Sequence, residues 1–172
     1  MKGEQRMLAL WLLPAAPARQ FFCDLIQRLA ERFEAPVFEP HLTLHGTGFD
    51  EAHLERLDQI PMPGSVELEI DGIEFSEKYT KTLFVQFREQ GELTALNRTV
   101  AEMFGDKSEL NPHLSLIYQK MPNEQKAELA TTIQIPFQRV SFEVIKAVVT
   151  PATIESREGV ESWRTVWERS LS

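Results

Sequence analysis

The sequence predicts an α+β protein built from two similar halves, and three features of the chain support this fold class. Its 172 residues are 42% hydrophobic and 26% charged, which suits one globular domain with a substantial core. Some segments show the apolar periodicity of strands and others that of helices. The order strand, helix, strand, helix, strand occurs twice, with equivalent segments about 70 to 74 residues apart. We therefore expect a single domain over residues 1–172, with pseudo-repeat lobes of approximately residues 1–78 and 79–172.

The first half contains a strand, a helix and a strand whose patterns are clear. Residues 7–13 form a short apolar run that Pro14 ends, as in a buried strand. In residues 18–33, apolar side chains recur every three or four positions, which predicts a helix. The half continues with a strand over residues 41–46, a helix capped by Asp50, and a strand over residues 66–75 with a turn or bulge near Asp71 and Gly72.

The second half repeats this order. A helix is predicted over residues 92–104, because its apolar residues lie on one face and Gly105 follows as a C-terminal cap. Strands are predicted on both sides of it. The remaining segments are strands over residues 81–88, 113–119 and 140–150, a helix over residues 123–132, and an additional strand over residues 163–168.

The composition excludes several classes of protein. The chain has 18 Lys and Arg against 26 Asp and Glu, and its net charge of −8 works against non-specific attraction to long nucleic acid or anionic membrane. Its single cysteine, Cys23, cannot form an internal disulfide, which fits a reducing compartment. No apolar run approaches the roughly 20 residues that a membrane span needs. We expect a cytoplasmic monomer with no membrane association.

Two near-identical pentapeptides fall at equivalent points of the two halves. They are Pro-His-Leu-Thr-Leu at residues 40–44 and Pro-His-Leu-Ser-Leu at residues 112–116. Alternate side chains of a strand share a face, so His41 lies beside Thr43 and His113 lies beside Ser115. If the pseudo-twofold relation brings the two strands together, two imidazoles and two hydroxyls converge on one cleft.

Two histidines that face each other across a phosphoryl group provide a general base and a general acid. Imidazole has an unperturbed pKa of about 6.5, so both of its forms are available at neutral pH. One ring deprotonates the attacking water and the other protonates the leaving ribose oxygen. The neighbouring hydroxyls can donate hydrogen bonds to the non-bridging oxygens. This chemistry needs no metal and no cofactor.

The paired motifs resemble those of the two-histidine (2H) phosphoesterase superfamily, in particular its cyclic phosphodiesterase-like branch. The resemblance covers nearly the whole chain, from Leu8 to Arg164. It implies a bilobal α+β fold in which two antiparallel sheets line a central cleft. It also implies hydrolysis of a 2′,3′-cyclic nucleotide or of ADP-ribose 1″,2″-cyclic phosphate to a monophosphate.

The resemblance assigns roles to five residues of the two motifs. His41 and His113 are implied to be the catalytic acid and base, in an order that the sequence leaves open, and Thr43 and Ser115 are implied to bind phosphate. Tyr118 is implied to place its hydroxyl near the phosphate or the reacting water. Strand alternation alone would turn Tyr118 away from His113, so this role requires a bulge or a strand end.

Three further residues are candidates for contact with substrate. Trp11 and Phe84 lie in strands that would flank the cleft, where the family commonly stacks the base on aromatic residues, and core packing is the alternative for both. Lys81 could attract an anion into an otherwise acidic protein, or it could be a solvated lysine.

Other functions stay open at this point. One is an RNA 2′,3′-cyclic phosphodiesterase or 2′-5′ RNA ligase-like protein acting on short RNA ends, which would be expected to show a basic groove. Another is a nucleotide-binding module without turnover. A zinc site of His41, His45 and His113 is a third, because strand alternation places His45 on the face of His41 and Thr43. The sequence offers no Cys, Asp or Glu at ligand spacing, so we expect no metal.

Overall fold

The computed structural model describes residues 5–105 and 109–172, which form seven strands and five helices; the strands and the first four helices follow the predicted order. Residues 1–4 and 106–108, which fall in the two predicted lobes, lie outside the described residues. The strands are β1 (Arg6–Pro14), β2 (Leu42–Gly48), β3 (Val66–Phe75), β4 (Leu83–Phe87), β5 (His113–Ile117), β6 (Arg139–Pro151) and β7 (Arg164–Ser170). The helices are α1 (Ala18–Phe33), α2 (Glu51–Arg56), α3 (Gly91–Phe104), α4 (Asn123–Thr132) and α5 (Arg157–Glu161).

Two short segments differ from the sequence prediction. The strand expected to begin at Lys81 begins at Leu83, because Tyr79–Lys81 forms a 3-10 turn. Helix α5 was not predicted, since its five residues are too few to show an apolar periodicity. The predicted cap of α2 is confirmed, because the side chain of Asp50 accepts a hydrogen bond from the backbone N–H of Ala52 (2.9 Å).

All seven strands are antiparallel to their neighbours and belong to one sheet, in the order β1-β2-β5-β4-β3-β6-β7, and β1 also pairs with β6. Strands β2, β1, β6 and β7 form one part of this sheet, and β5, β4 and β3 form the other. The two parts meet where β2 pairs with β5 and where β3 pairs with β6. They correspond to the two sheets that the family resemblance implies.

The strand pairing follows the predicted duplication. Pairing of β1 with β2 corresponds to pairing of β4 with β5, and pairing of β6 with β1 corresponds to pairing of β3 with β4. The third strand of each half therefore pairs with the first strand of the other. Strand β2 meets its own counterpart β5 through the pair Leu42 and Leu114. The pseudo-twofold relation thus passes between the two histidine motifs.

The leucines of the motifs anchor these strands in the core. Leu42, Leu44, Leu114 and Leu116 are buried in one hydrophobic cluster with residues of β1, β4 and the helices. Because strand side chains alternate, burial of these leucines commits the motif histidines and hydroxyls to the opposite face. Among the described residues, no helix is long and apolar enough to cross a membrane.

Candidate active site

A β-bulge in β2 decides which side chains of the first motif reach the cleft. Leu10 of β1 pairs with His45, and the next residue, Trp11, pairs with Thr43, so Leu44 is the extra residue. Paired residues of antiparallel strands share a face, so His45 lies with Leu10 on the core side and Thr43 lies with Trp11 on the other. The expectation that His45 shares the face of Thr43 is wrong for this reason.

The bulge also bears on the zinc alternative. His45 is buried and does not line the cleft that contains the other two histidines. Within the described parts of the chain, no group of three or more His, Cys, Asp or Glu side chains is arranged to hold a metal ion.

The second motif has the same bulge at the equivalent position. Leu83 of β4 pairs with Ile117 and Phe84 pairs with Ser115, so Leu116 is the extra residue. Ile117 therefore joins Leu83 in the core, and β5 ends there. Tyr118 follows on the side of Ser115. Either a bulge or a strand end would allow the proposed role of Tyr118, and the structure has both.

The two motifs converge on one cleft of about 310 Å³. Seven of the eight predicted site residues line it: Trp11, His41, Thr43, Lys81, His113, Ser115 and Tyr118. The eighth, Phe84, is 4% exposed and lies behind His113 and Lys81 instead of on the cleft wall. Six lining residues were not predicted: Ala9, Lys78, Thr80, Thr150, Ile154 and Trp163.

Both imidazoles are held in the same way. Nδ1 of His41 donates to the carbonyl oxygen of Glu39 (2.7 Å), and Nδ1 of His113 donates to the carbonyl oxygen of Asn111 (2.8 Å). A carbonyl can only accept, so Nδ1 carries a proton in each ring and Nε2 is the basic nitrogen of the neutral form. In each motif the acceptor lies two residues before the histidine, with a proline between them. Each ring therefore has Nε2 available for proton transfer.

An aromatic residue from the neighbouring strand supports each histidine. The indole of Trp11 stacks on the imidazole of His41, with ring centroids 3.6 Å apart and planes 13° apart. At the equivalent position of the second half, Phe84 meets His113 edge to face at 5.4 Å. Trp163 adds an edge contact to His41 at 5.7 Å. One face of Trp11 is thus occupied by the protein itself.

Burial lowers the pKa of both histidines. His41 is 6% exposed, and burial lowers its pKa from 6.5 to about 4, against the raising effect of its hydrogen bond to the Glu39 carbonyl. The positive charge of His113 lowers it further, so the two rings interact electrostatically. Burial also lowers the pKa of His113, with a contribution from Lys81. Both rings are therefore neutral at pH 7 when the cleft holds no anion.

The three hydroxyl groups that the sequence assigns to phosphate binding have different surroundings. The side chain of Thr43 is exposed at the cleft. Ser115 is 5% exposed, and its hydroxyl donates to the backbone carbonyl of Thr80 (2.8 Å). The Tyr118 phenol hydrogen-bonds with the Ser115 side chain, and burial raises the pKa of Tyr118, so the phenol stays protonated as a donor. Binding of phosphate by Ser115 would require its hydroxyl to exchange the Thr80 carbonyl for a phosphoryl oxygen.

Two lysines, Lys78 and Lys81, line the cleft. The ammonium of Lys81 sits 4.6 Å from the ring centroid of Phe84, and burial, together with the charge of Lys78, lowers the pKa of Lys81. The three-residue spacing of Lys78 and Lys81 could have identified Lys78, since a helical turn places such residues on one side. Trp163 gave no comparable signal, because it is distant in sequence from both motifs and begins a predicted terminal strand, in which a tryptophan is expected to pack.

Comparison with known proteins gives consistent matches. A family model described as "Cyclic phosphodiesterase-like protein" matches residues 7–170. The structure of E. coli LigT in apo form is similar with a TM-score of 0.62 and 14% identity, over 98% of each chain. TT0787 of Thermus thermophilus gives a TM-score of 0.62 and 16% identity, over 96% of this chain and 97% of that chain. Usb1 of Kluyveromyces marxianus gives 0.53 and 16%, over 92% of this chain and 96% of that chain. No curated protein sequence matches the chain.

Proposed function

The chain belongs to the cyclic phosphodiesterase-like family of two-histidine phosphoesterases, and we propose that it hydrolyses a cyclic phosphate on a small nucleotide or nucleotide sugar to a monophosphate. The candidate substrates are 2′,3′-cyclic nucleotides and ADP-ribose 1″,2″-cyclic phosphate. The observation that carries the proposal is the matched pair of imidazoles in one cleft, each fixed through Nδ1 and each with Nε2 available.

The proposed reaction is a metal-independent displacement at phosphorus. Nε2 of one neutral histidine takes a proton from water as the water oxygen bonds to phosphorus. The bond between phosphorus and one ribose oxygen breaks, and the other histidine, protonated at Nε2, gives its proton to that oxygen. One water is consumed, and the two rings exchange protonation states. The monophosphate product keeps the second ribose oxygen on phosphorus.

Binding of the substrate can favour the required state, in which one histidine is protonated and the other is neutral. Both histidines have lowered pKa values without ligand, because burial disfavours their charged forms. An anionic phosphodiester between the rings favours one imidazolium. Thr43, Ser115 and Tyr118 then donate hydrogen bonds to the non-bridging oxygens, where negative charge develops.

The size and charge of the protein support a small substrate. The cleft of about 310 Å³ is at the lower end of the range of roughly 300 to 1,000 Å³ for small-molecule sites. The net charge of −8 disfavours long polyanions. The similarly folded E. coli LigT has been solved in complex with 3′-AMP, ATP and NADP+, which are ligands of this size class.

A second candidate function has one observation in its favour. Lys78 and Lys81 both line the cleft, and the charge of Lys78 lowers the pKa of Lys81. Their ammonium groups could receive the phosphates of a short RNA that ends in a 2′,3′-cyclic phosphate, so an RNA 2′,3′-cyclic phosphodiesterase or 2′-5′ RNA ligase-like protein is the alternative.

A direct assay tests these proposals. Wild-type protein is incubated in EDTA with 2′,3′-cyclic AMP, with ADP-ribose 1″,2″-cyclic phosphate, and with a short oligonucleotide that carries a 2′,3′-cyclic end. We expect turnover of at least one of the two small substrates, with a single phosphate isomer as product. A much higher rate on the oligonucleotide would favour the RNA alternative. Binding of all three without hydrolysis would instead identify a nucleotide-binding module.

A further inference from the structure

A second cavity of about 590 Å³ adjoins the candidate active site. The two spaces share four wall residues, Lys78, Thr80, Thr150 and Ile154. A ligand whose reacting group lies between the histidines can therefore extend past Lys78 into the second cavity. None of the predicted site residues lines this second space.

The segment that separates the two cavities is held by hydrogen bonds. The hydroxyl of Ser76 accepts from the backbone N–H of Lys78 (3.2 Å) and donates to the carbonyl of Lys81. Lys126, which is 3% exposed, donates from its ammonium to the carbonyl of Ser76 (2.7 Å) and so ties the segment to α4. The backbone that carries Lys78 is thus fixed before any ligand arrives.

Two ammonium groups face the second cavity. Lys78 lines both spaces, and Lys120, which follows the second motif by a few residues, lines only the second of the two. Neither forms an ion pair with any residue in the described parts of the chain.

The charge of the cavity wall is mixed. Glu77 and Glu155 line the same space, and the whole protein carries a net charge of −8. General attraction of anions therefore cannot explain binding there. An anion would be held through direct contacts with Lys78 and Lys120.

The lining of the two spaces suits different parts of a nucleotide. Trp11 and Trp163, which touch each other in the first space, suit an apolar group such as a base, whereas the lysines suit a phosphate. Besides the cyclic phosphate, the reacting ribose can carry a phosphate on its 5′ carbon. ADP-ribose 1″,2″-cyclic phosphate carries its pyrophosphate on the equivalent carbon of the reacting ribose, and a short RNA carries its last phosphodiester there.

We propose that the second cavity is a subsite for a phosphate on the 5′ carbon of the ribose that bears the cyclic phosphate, with Lys78 and Lys120 as its ligands. As a statement about the substrate, this inference rests on the proposed function. It means that a 2′,3′-cyclic mononucleotide without a 5′-phosphate uses only part of the binding surface.

Equilibrium binding of two product-like nucleotides tests the subsite without any turnover. Adenosine 2′-monophosphate and adenosine 2′,5′-bisphosphate differ only in the 5′-phosphate, and their Kd values can be measured by calorimetry. We expect the bisphosphate to bind about tenfold more tightly to the wild-type protein, with an advantage that shrinks as salt is added. Equal or weaker binding of the bisphosphate would overturn the proposal.

A pair of variants tests whether Lys120 causes the tighter binding of the bisphosphate. Lys120→Gln should reduce the advantage of the bisphosphate to about threefold or less while leaving the Kd of the monophosphate unchanged. Arg98→Gln removes a charge from an exposed residue of α3 that lines neither cavity, and it should leave both Kd values unchanged. An unchanged advantage in Lys120→Gln, or an equal loss in both variants, would contradict the assignment.

Turnover measurements then serve two purposes. They distinguish the two sources of the 5′-phosphate, and they test this inference separately from the proposed function. A higher kcat/KM for ADP-ribose 1″,2″-cyclic phosphate than for a dinucleotide with a 2′,3′-cyclic end assigns the subsite to a pyrophosphate, and the reverse order assigns it to RNA. A bisphosphate preference that Lys120→Gln removes, with no hydrolysis of any cyclic phosphate, would support the subsite and refute the proposed function.

Discussion

Burial has a larger effect than any neighbouring charge on the protonation of His41 and His113. It lowers the pKa of both rings, and the pKa of His41 falls to about 4. Acid-base catalysis by two histidines needs one proton shared between them, so the active form of the free protein exists between the two macroscopic pKa values of the pair. This conclusion holds whichever ring is the acid.

The pH dependence of kcat/KM should therefore be bell-shaped with its optimum below pH 6.5. Activity should fall as the pH rises past the higher pKa, because both rings become neutral, and it should fall towards pH 4, because both become protonated. Initial rates on 2′,3′-cyclic AMP at constant ionic strength measure this profile. An optimum at pH 8 would contradict the lowered pKa values.

The two motif hydroxyls should respond differently to removal. Thr43→Val keeps the shape of an exposed side chain, so it should reduce kcat by roughly 100-fold without loss of stability. Ser115→Ala also removes the hydrogen bond to the Thr80 carbonyl, so it should reduce kcat and in addition destabilise the fold by about 1 kcal/mol. Steady-state kinetics and urea unfolding measure both effects. Full activity in either variant would remove that hydroxyl from the phosphate site.

At the scale of secondary-structure elements, the site depends on how β1 and β4 lie against the motif strands. The bulges at Leu44 and Leu116 set Trp11 opposite Thr43 and Phe84 opposite Ser115. As a result, each histidine packs against an aromatic ring from the strand next to its own. The ring contact excludes water from one face of the imidazole, which contributes to the burial that lowers its pKa.

Replacement of the stacked indole tests this relation. Trp11→Leu should admit water beside His41 and raise its pKa from about 4 towards 6.5, so the acidic side of the rate profile should move to higher pH. Trp167→Leu is the matched control, because Trp167 lies on β7 with its indole N–H on Asp58 and does not line the cleft. NMR titration of the histidine ring signals gives the pKa directly. An unchanged pKa of His41 in Trp11→Leu would refute the conclusion that this tryptophan lowers the pKa by excluding water.

At the scale of the whole molecule, the duplicated topology places the two histidine motifs on adjacent strands, β2 and β5, where the two parts of the sheet meet. The buried imidazole of His41 also couples folding to pH. Its pKa is lower in the folded protein than in the unfolded chain, so the unfolded chain binds the proton more tightly. The resulting stability is complete above pH 6.5 and is lost as the pH falls towards 4.

The free energy of unfolding should fall by roughly 3 kcal/mol through His41 alone between pH 6.5 and pH 4. Because carboxyl groups also titrate in this range, the informative quantity is the difference between the wild-type protein and His41→Asn in urea unfolding at each pH. The variant should lose this part of the pH dependence, whereas His53→Gln on α2 should keep it. Identical pH dependence in wild type and His41→Asn would contradict the buried, neutral state of His41.

Much of this arrangement could be predicted from the sequence, because it depends on periodicity and on repetition. The order of strands and helices along the chain follows from periodicity, and the convergence of His41 and His113 on one cleft follows from two pentapeptides at equivalent positions. The bulge at Leu44 could not be predicted, because it depends on the pairing of β2 with β1, and it carries His45 to the core. Trp163 joins the cleft through tertiary packing, which the alternation that predicts its strand does not show.

In the proposed mechanism, His41 and His113 act together as acid and base. The most direct test is the hydrolysis of 2′,3′-cyclic AMP in EDTA by the wild-type protein, His41→Asn, His113→Asn and the control His53→Gln, with the Kd of adenosine 2′-monophosphate measured for each. We predict that each motif variant loses about 10³-fold in kcat while it still binds the monophosphate, and that the control keeps wild-type activity. Wild-type turnover by either His41→Asn or His113→Asn would contradict the two-histidine mechanism.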